Sequence, residues 1–368
     1  MWRIPALIRK EFLALLKDPR SRFVIIGPPV IQLIVFGYAA TFDVTDVPLA
    51  VYNESPGQAS RDLIARFEGS RNFRRVATIT DDRQIGPLID RRQALLVVHL
   101  GRTFCDDLHR GAAAKVQVII DGRDSNTALI TLGYATRIVS AFNETWRREE
   151  GLGDAPARLE IRAWFNPNLQ SRWFIVPGIT GLLTLVVTML VTALSVARER
   201  EQGTFDQLLV TPYRPWEILI GKAAPGFIIG VAEATLIVVV AVWWFRIPFV
   251  GSWSILYAGI VLFVLAAIGV GLMISSLAVT QQQALLGAFL FLVPAIILSG
   301  FSTPIANMPQ VVQWITYADP LRYFLVVLRS SFLEGASFAH LADQFWPMAV
   351  IAMVTLTSAT LLFRRRMY

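Results

Sequence analysis

The 368-residue sequence has little of the chemistry that enzymes use. It has one cysteine, Cys105, and three histidines, His99, His109 and His340, that lie far apart in the chain. One cysteine excludes an intrachain disulfide, and the histidine spacing does not fit a zinc site. The apolar segments contain neither an HExxH motif nor a nucleophile paired with a base. We therefore expect no metal site, and the sequence argues against an intramembrane hydrolase.

The sequence also lacks a phosphate-binding loop. Such a loop has the form GxxxxGK[ST], in which backbone amides cradle the phosphates and the lysine neutralises them. The nearest fragment contains Gly221 and Lys222, but Trp216 stands at the first glycine position and Ala223 follows the lysine. The chain is therefore not expected to hydrolyse ATP or to bind a cofactor by itself.

Charged residues make up only 17% of the chain, whereas hydrophobic residues make up 54%. The mean hydropathy of +0.52 comes from long apolar runs, which are typical of a polytopic membrane protein. A spanning helix needs about 20 mostly apolar residues. We place six transmembrane helices near residues 23–42, 173–197, 218–245, 254–279, 284–301 and 345–363. The first run is too long for the core of a signal peptide, so it predicts an uncleaved anchor.

Lysine and arginine predict the orientation, because they are enriched in cytoplasmic loops. Thirteen lie in the first 22 residues, in the loop after the second span and in the tail, whereas the opposite short connections hold only Arg246, Arg322 and Arg329. Both termini are thus expected in the cytoplasm, with residues 1–22 as an amphipathic helix and 364–368 as a tail. This rule accounts for the net charge of +7 without a nucleic-acid partner.

Residues 43–172 differ from the rest of the chain and are expected outside the cytoplasm. Runs of β-branched and aliphatic residues predict strands at 48–53, 74–79, 94–100 and 115–121, with one more at 159–165. Helical stretches at 59–67, 82–91 and 126–147 separate the strands, so we predict an inserted α/β domain with a mixed sheet. The loop DGRDSNT at 121–127 lacks calcium-loop spacing and is better placed to cap a helix. The sequence does not decide whether this domain gates a pathway or docks an outer partner.

The segment AREREQGTFDQLLVTP at 197–212 predicts a short helix between two apolar runs. Thr204 suits an N-cap, and Gln207 can complete a capping box. Asp206 lies in the first turn, where the helix dipole favours an anion, and Pro212 can end the helix.

One side of this short helix is apolar, because Phe205, Leu208 and Leu209 recur at i, i+3 and i+4. On physical grounds such a ridge either rests on the bilayer surface or binds a partner. The segment resembles the cytoplasmic coupling helix of type-two ABC export permeases, which are membrane subunits driven by a separate ATPase. Three further stretches resemble the same family, so that the likeness covers nearly the whole chain: IRKEFLALLKDP at 8–19, LSGFSTPIANMP at 298–309 and YADPLRYF at 317–324.

The resemblance implies that a coupling helix at 199–214 contacts an ABC ATPase subunit, which would itself bind ATP and Mg²⁺. The implied contact residues are Glu199, Glu201, Gly203, Thr204, Phe205, Asp206, Leu208, Leu209, Thr211 and Pro212. Gly203 would permit a sharp backbone reversal, whereas the charges at 198–201 can instead form a solvated rim. The N-terminal helix with Arg9, Lys10 and Glu11 would lie along the inner leaflet and lead into the first span.

Glu233 is the only acidic residue well inside a predicted span. A carboxyl group there is costly, so it either attracts a cationic substrate or makes a polar contact between helices. Thr184, Thr188 and Thr192 recur every four residues on one face of the second span. Such a stripe more often packs helices together than contacts substrate, so Thr184 and Thr188 are weaker candidates for a substrate pathway.

Residues 303–340 contain three prolines among apolar residues and predict re-entrant or interfacial helices at the outer surface. Six helices are not expected to enclose a pathway, so a dimer is predicted, either of this chain or with a paralogous permease. The resemblance implies a multi-pass permease of a bacterial inner membrane that exports hydrophobic or amphipathic, drug-like compounds. Whether a periplasmic adaptor protein continues the route is left open.

Two other classes compete with this interpretation. A signalling receptor with an outer ligand-binding domain would explain residues 43–172 but not five further spans. An ion-driven secondary carrier usually shows internal repeats, and we find no clear repeat in the sequence.

Overall fold

The computed structural model describes residues 3–17, 27, 29–36, 38, 44–151, 165–166, 170–204 and 214–365. The chain divides into two compact units, one of Met1–Ala40 with Ala163–Tyr368 and one of Thr41–Arg162. The core of the predicted coupling helix, at 205–213, lies outside the described residues. So do most of the predicted strand at 159–165 and part of the first predicted span.

The first unit is helical. Its amphipathic N-terminal helix, α1, is Arg3–Lys17, and helical residues at 29–36 form α2. After the second unit the chain continues with α7 (Ser171–Glu201), α8 (Pro215–Trp243), α9 (Trp253–Leu277), α10 (Gln281–Leu298), α11 (Gln310–Ile315), α12 (Pro320–Arg329) and α13 (Phe338–Arg365).

Among the described residues, five helices are long and apolar enough to cross a membrane, namely α7, α8, α9, α10 and α13. They coincide with the second to sixth predicted spans, although α13 begins at Phe338 rather than at residue 345. Where the first span is predicted, Leu33 of α2 packs against Ile175 and Ile179 of α7.

Small residues let α9 approach its neighbours closely. A Cβ atom at Gly269 would lie 2.1 Å from Thr355 Oγ1 of α13, and one at Gly259 would lie 2.8 Å from Val327 Cγ1 of α12. Phe263 of α9 also stacks on Phe324 of α12, with ring centroids 4.2 Å apart. Such contacts are typical of helices packed in a membrane, and they place α9 at the centre of the unit.

The region predicted to form re-entrant or interfacial helices is a set of short helices. Leu321, Phe324 and Leu328 of α12 are fully buried, because one face of this helix packs against α7, α9 and α13. A π-helical turn, Ser330–Glu334, follows α12, and Gly335 ends it with a φ of 65°. By contrast, Trp314 of α11 is 62% exposed. Hence α12 belongs to the helical core, while α11 lies at its surface.

The second unit contains a four-stranded mixed sheet in the order β2-β1-β3-β4. The strands are β1 (Val47–Asn53), β2 (Phe73–Ile79), β3 (Leu96–Leu100) and β4 (Val116–Ile120), and each lies where the sequence predicts a strand. β1 pairs in parallel with β2 and β3, whereas β4 runs antiparallel to β3. The helices of this unit are α3 (Gln58–Glu68), α4 (Ile85–Asp90), α5 (Phe104–His109) and α6 (Ser125–Glu149).

His99 of β3 is partly buried and lies between two hydrogen-bond acceptors. Its Nε2 lies 3.1 Å from Glu54 Oε2, and its Nδ1 lies 2.8 Å from Gln117 Oε1. An imidazolium can donate to both acceptors at once, whereas a neutral imidazole can donate to only one. Although partial burial opposes the charge, the hydrogen bonds to Gln117 and Glu54 raise the pKa of His99 above its ordinary 6.5.

The loop at 121–127 serves the fold. Asp124 is the N-cap of α6, because its Oδ1 accepts the backbone N–H of Thr127 at 3.2 Å. Asp121 holds Arg123 through an ion pair of 2.6 Å, and the hydrogen bonds from Arg123 lower the pKa of Asp121 to about 2. Within the described residues no group of acidic, histidine or cysteine side chains is arranged to hold a metal ion.

Candidate functional site: a buried charge cluster

Four charged side chains from three helices meet at one end of the helical unit. Lys10 and Glu11 come from α1, Glu199 from the last turn of α7, and Lys222 from the second turn of α8. We call these four residues the charge cluster. Since α7 precedes residues 205–213 and α8 follows them, the cluster joins the two helices that flank the predicted coupling segment.

The distances in the charge cluster link each lysine to both glutamates. Lys222 Nζ donates a hydrogen bond to Glu11 Oε1 at 2.9 Å. It also forms an ion pair with Glu199 Oε2 at 2.7 Å, although this second contact does not have the geometry of a hydrogen bond. Lys10 Nζ donates to Glu199 Oε1 at 3.0 Å and lies 3.6 Å from Glu11 Oε1. Two positive and two negative charges therefore alternate around the cluster, which is neutral as a whole.

Burial within the charge cluster is uneven. The side chain of Lys222 is 1% exposed and those of Glu11 and Glu199 are each 10% exposed, whereas that of Lys10 is 53% exposed. Partial burial works against the charge of Lys10, but the hydrogen bonds and negative charges of Glu199 and Glu11 together outweigh it and raise the pKa of Lys10. Removing one partner from a buried ion pair costs about 3–5 kcal/mol, because the other charge is left uncompensated. Lys222 is therefore the residue on which the cluster depends most.

Close backbone packing holds α1 against α8 beside these charges. Leu7 is 3% exposed and lies over Gly221, where a Cβ atom would come 2.4 Å from Leu7 Cδ2. Glycine is thus the residue that fits this crossing, and it brings Lys222 next to Glu11. Arg9 is exposed and does not take part, so two of the three residues singled out on α1 reach the cluster.

The end of α7 is closed by its own backbone. Gly203 adopts a φ of +69°, its N–H donates to Arg200 O at 3.1 Å, and the N–H of Thr204 donates to Glu199 O at 3.0 Å. These two bonds and the left-handed glycine form a Schellman motif. The helix boundary therefore differs from the prediction, since residues 199–201 belong to α7. The Thr204 hydroxyl also bonds back to Glu199 O at 3.3 Å.

The charges at 198–201 are not all a solvated rim. Arg200 Nη1 donates to the backbone oxygens of Ser276 and Ala278 at 2.9 and 3.1 Å, where α9 ends. Glu201 Oε2 accepts the N–H of Gln281 at 2.7 Å, at the start of α10. The last turn of α7 thus contacts α1, α8, α9 and α10. Phe205, Asp206, Leu208, Leu209, Thr211 and Pro212 lie outside the described residues.

The residues proposed for a substrate pathway are buried inside the helical unit. Thr184 and Thr188 are fully buried, and a Cβ atom at Gly230 of α8 would lie 2.3 Å from Thr188 Oγ1. The threonine stripe therefore lies in a tight contact between helices, as Thr192 also does against Gly226 and Gly271. Glu233 is 7% exposed, and among the described residues neither of its carboxyl oxygens has a hydrogen-bond partner.

The role of Lys222 was not predicted from the sequence. There Lys222 is one of the thirteen basic residues assigned to the cytoplasmic side and part of a fragment that fails to match a phosphate-binding loop. A signal was present, since Lys222 lies inside the apolar run of the third predicted span, and an intramembrane lysine requires a partner. The sequence did not identify that partner. Glu11 lies 211 residues away from Lys222, so no local pattern connects them.

Comparisons with known proteins agree with this architecture. A model of the ABC-2 family of transporter proteins matches residues 20–362. The chain is 41% identical to the probable multidrug ABC transporter permease YbhR of Escherichia coli over 99% of each chain. It is 35% identical to the probable multidrug ABC transporter permease YbhS of the same bacterium, over 90% of this chain and 89% of YbhS. It is also 28% identical to the inner membrane transport permease YhhJ, over 86% of this chain and 85% of YhhJ.

Proposed function

This chain belongs to the ABC-2 family of transporter proteins, and on that premise we propose that it carries hydrophobic or amphipathic, drug-like compounds out of the cytoplasm or the inner leaflet. It is a multi-pass membrane permease of the multidrug type by its likeness to YbhR and YbhS, and as a permease subunit it is not an enzyme. The direction of transport and the class of compound are the proposal.

The energy for transport comes, in this proposal, from ATP and Mg²⁺ bound by a separate ABC ATPase subunit. The absence of a phosphate-binding loop from the sequence supports this division of labour. The apolar ridge of Phe205, Leu208 and Leu209 would bind the ATPase, with Asp206, Thr211 and Pro212 beside it. Glu199 has a different role, because its carboxylate is already engaged within the permease by Lys10 and Lys222.

One observation carries the proposal, namely that the charge cluster ties α1, α7 and α8 together on both sides of residues 205–213. A force applied to that segment acts on the end of α7 and the start of α8, and Lys222 sits between them with α1. Because Lys222 and Glu199 are buried, their attraction is screened by salt and water far less than a surface pair would be. The three helices would therefore move as one body when the ATPase pulls on the segment.

The proposed setting is a bacterial inner membrane with both termini in the cytoplasm. Residues 23–42 would supply a sixth span, and the α/β unit would lie outside the cytoplasm, where it gates the route or docks a periplasmic adaptor protein. A second permease, either another copy or a paralogue, would complete the pathway. The excess of lysine and arginine at the ends assigned to the cytoplasm supports this orientation.

We also propose that Glu233 attracts cationic compounds. It stands within α8, and its oxygens have no hydrogen-bond partner among the described residues. Burying an unpartnered carboxyl group is costly, and such a residue inside a span by default indicates a functional site. Thr184 and Thr188 would have only a packing role beside it, because both are fully buried.

The experiment uses everted membrane vesicles that contain the full chain together with the ABC ATPase that co-purifies with a tagged copy. Uptake of ethidium, a cationic dye, should require ATP and should stop when the phosphate-loop lysine of the ATPase is replaced by alanine. Uptake driven by a proton gradient without ATP would instead identify a secondary carrier. Dye binding without any uptake would favour a receptor.

A second arm of the experiment tests the coupling segment. Phe205→Ala removes a side chain from the apolar ridge and should weaken ATPase binding about tenfold, as expected for a contact at the centre of an interface. Val210→Ala is the matched control, because Val210 belongs neither to the ridge nor to the predicted capping box. Equal ATPase binding and equal transport in both variants would remove this assignment of the ridge.

A further inference from the structure

A long apolar groove runs between α8, α9 and α13 at the end of the helical unit that holds the charge cluster. Its volume is about 530 Å³, and its lining, which is almost wholly apolar, includes Trp216, Ile220, Ala224, Leu265, Leu356 and Thr360. Trp216 and Ile220 come from the first turns of α8, whereas Leu356 and Thr360 come from the last turns of α13. The groove therefore lies near the level where the spans leave the membrane.

A basic residue continues the lining of the groove toward that level. Leu356, Thr360 and Arg364 are spaced four residues apart on α13, so they lie on one face of the helix. Arg364 is exposed, and no acidic side chain of the described residues forms an ion pair with it. At the rim Trp216 is 45% exposed, and tryptophan is enriched at the headgroup level of membranes.

From this arrangement we infer that the groove is a binding site for one phospholipid with an anionic headgroup. An acyl chain fills the space between Ala224, Leu265 and Leu356, and the guanidinium of Arg364 receives the phosphate or an additional headgroup charge. The charge complementarity at Arg364 favours a lipid over a second copy of the chain. A second copy has an exposed apolar face available on α10, where Leu286 and Leu290 are 72% and 78% exposed.

This site does not rest on the proposed transport activity, because the lipid is a bound component of the permease itself. The test is native mass spectrometry of the full-length purified protein in detergent, titrated with phosphatidylglycerol or with phosphatidylcholine. The wild type should retain one phosphatidylglycerol per chain and should bind it at least about fivefold more tightly than phosphatidylcholine.

Two matched pairs of variants locate the site. Arg364→Gln should remove the preference for phosphatidylglycerol, whereas Arg365→Gln, at the next position of the same helix, should keep it. Thr360→Trp fills the groove and should abolish retention of both lipids, whereas Thr357→Trp, on an exposed position outside the lining, should not.

Equal binding of the two lipids by the wild type, unchanged by Arg364→Gln, would overturn the inference. So would retention of phosphatidylglycerol by Thr360→Trp, because the lipid would then lie elsewhere. If Thr360→Trp instead separated a dimer and left lipid binding unchanged, the groove would be occupied by a second copy of the chain. Loss of transport in the vesicle experiment would leave these results unaffected.

Discussion

Lys222 Nζ lies 2.7 Å from Glu199 Oε2, which connects the last turn of α7 to the second turn of α8. The two residues are close in space although 205–213, the predicted coupling segment, separates their helices in the chain. Because Glu11 of α1 shares the same lysine at 2.9 Å, any movement of one helix changes the electrostatic surroundings of the other two.

Lys222→Met should destabilise the permease, because Glu11 and Glu199 lose a lysine that is 1% exposed. We expect a loss of about 3–5 kcal/mol, the range for breaking a buried ion pair. Lys10→Met is the matched control and should cost about 0–1 kcal/mol, since Lys10 is 53% exposed. Unfolding in mixed micelles with increasing SDS measures both variants. Equal losses would show that burial does not distinguish the two lysines.

The triple variant Glu11→Gln, Glu199→Gln, Lys222→Met should recover at least half of the stability lost in Lys222→Met. Neutral amides at 11 and 199 remove the uncompensated charges, so only the lost hydrogen bonds remain. The same titration with SDS provides the measurement. A triple variant that is less stable than Lys222→Met would show that the methionine itself disrupts the packing of α8.

Gly230→Ala should destabilise the contact between α7 and α8 by about 1–3 kcal/mol, the usual cost of overpacking. The added Cβ atom would come 2.3 Å from Thr188 Oγ1, while its other neighbours lie at 3.3 Å or more. Thr188→Ala should therefore rescue Gly230→Ala in a double-mutant cycle of thermal unfolding. Additive effects would mean that α7 and α8 shift apart instead of meeting at this pair.

Glu233→Gln should reduce ATP-dependent uptake of ethidium while leaving uptake of the neutral dye Nile red unchanged. The change removes the ionisable carboxyl group from α8 and keeps the shape of the side chain. Vesicles that contain the ATPase report both dyes in parallel. Normal export of every cation tested would assign Glu233 to helix packing alone.

The pairing of β3 with β4 should weaken as the pH rises through the raised pKa of His99. The folded-state pKa lies above the ordinary 6.5, so the stabilisation is fully present below that value and is lost above the folded pKa. The neighbouring charges are Glu54, Arg102 and Asp82. His99→Gln keeps a hydrogen-bonding side chain that does not titrate. The measurement is hydrogen exchange of the backbone amides of β3 and β4, corrected for the intrinsic effect of pH on exchange. The protection of these amides should fall as the pH rises in the wild type and should not change with pH in His99→Gln.

Patterns within a few residues predicted most of the elements. Continuous β-branched runs marked the four strands, and apolar length marked α7, α8, α9, α10 and α13. The loop at 121–127 was predicted to cap a helix, and within it the carboxylate of Asp124 accepts the N–H of Thr127. These features depend on local propensity, which the sequence displays directly.

What escaped prediction depends on contacts between distant residues. The sequence displayed an amphipathic α1 and a lysine at 222, but not that Leu7 lies over Gly221 and thereby brings Glu11 to that lysine. Likewise, the sequence did not indicate that the N–H of Thr204 completes the end of α7 by donating to Glu199 O. The predicted N-cap role of Thr204 concerns residues 205–207, which lie outside the described residues. These contacts follow from the three-dimensional arrangement and not from a pattern of neighbouring residues.

Since the Schellman motif at Gly203 satisfies the last carbonyls of α7 from within, residues 205–213 are not needed to finish that span. Their sequence is free to diverge without unravelling the membrane helix behind them. If residues 205–213 bind the ATPase as proposed, exchange of this stretch between relatives would redirect the permease to another ATPase and leave its membrane helices unchanged.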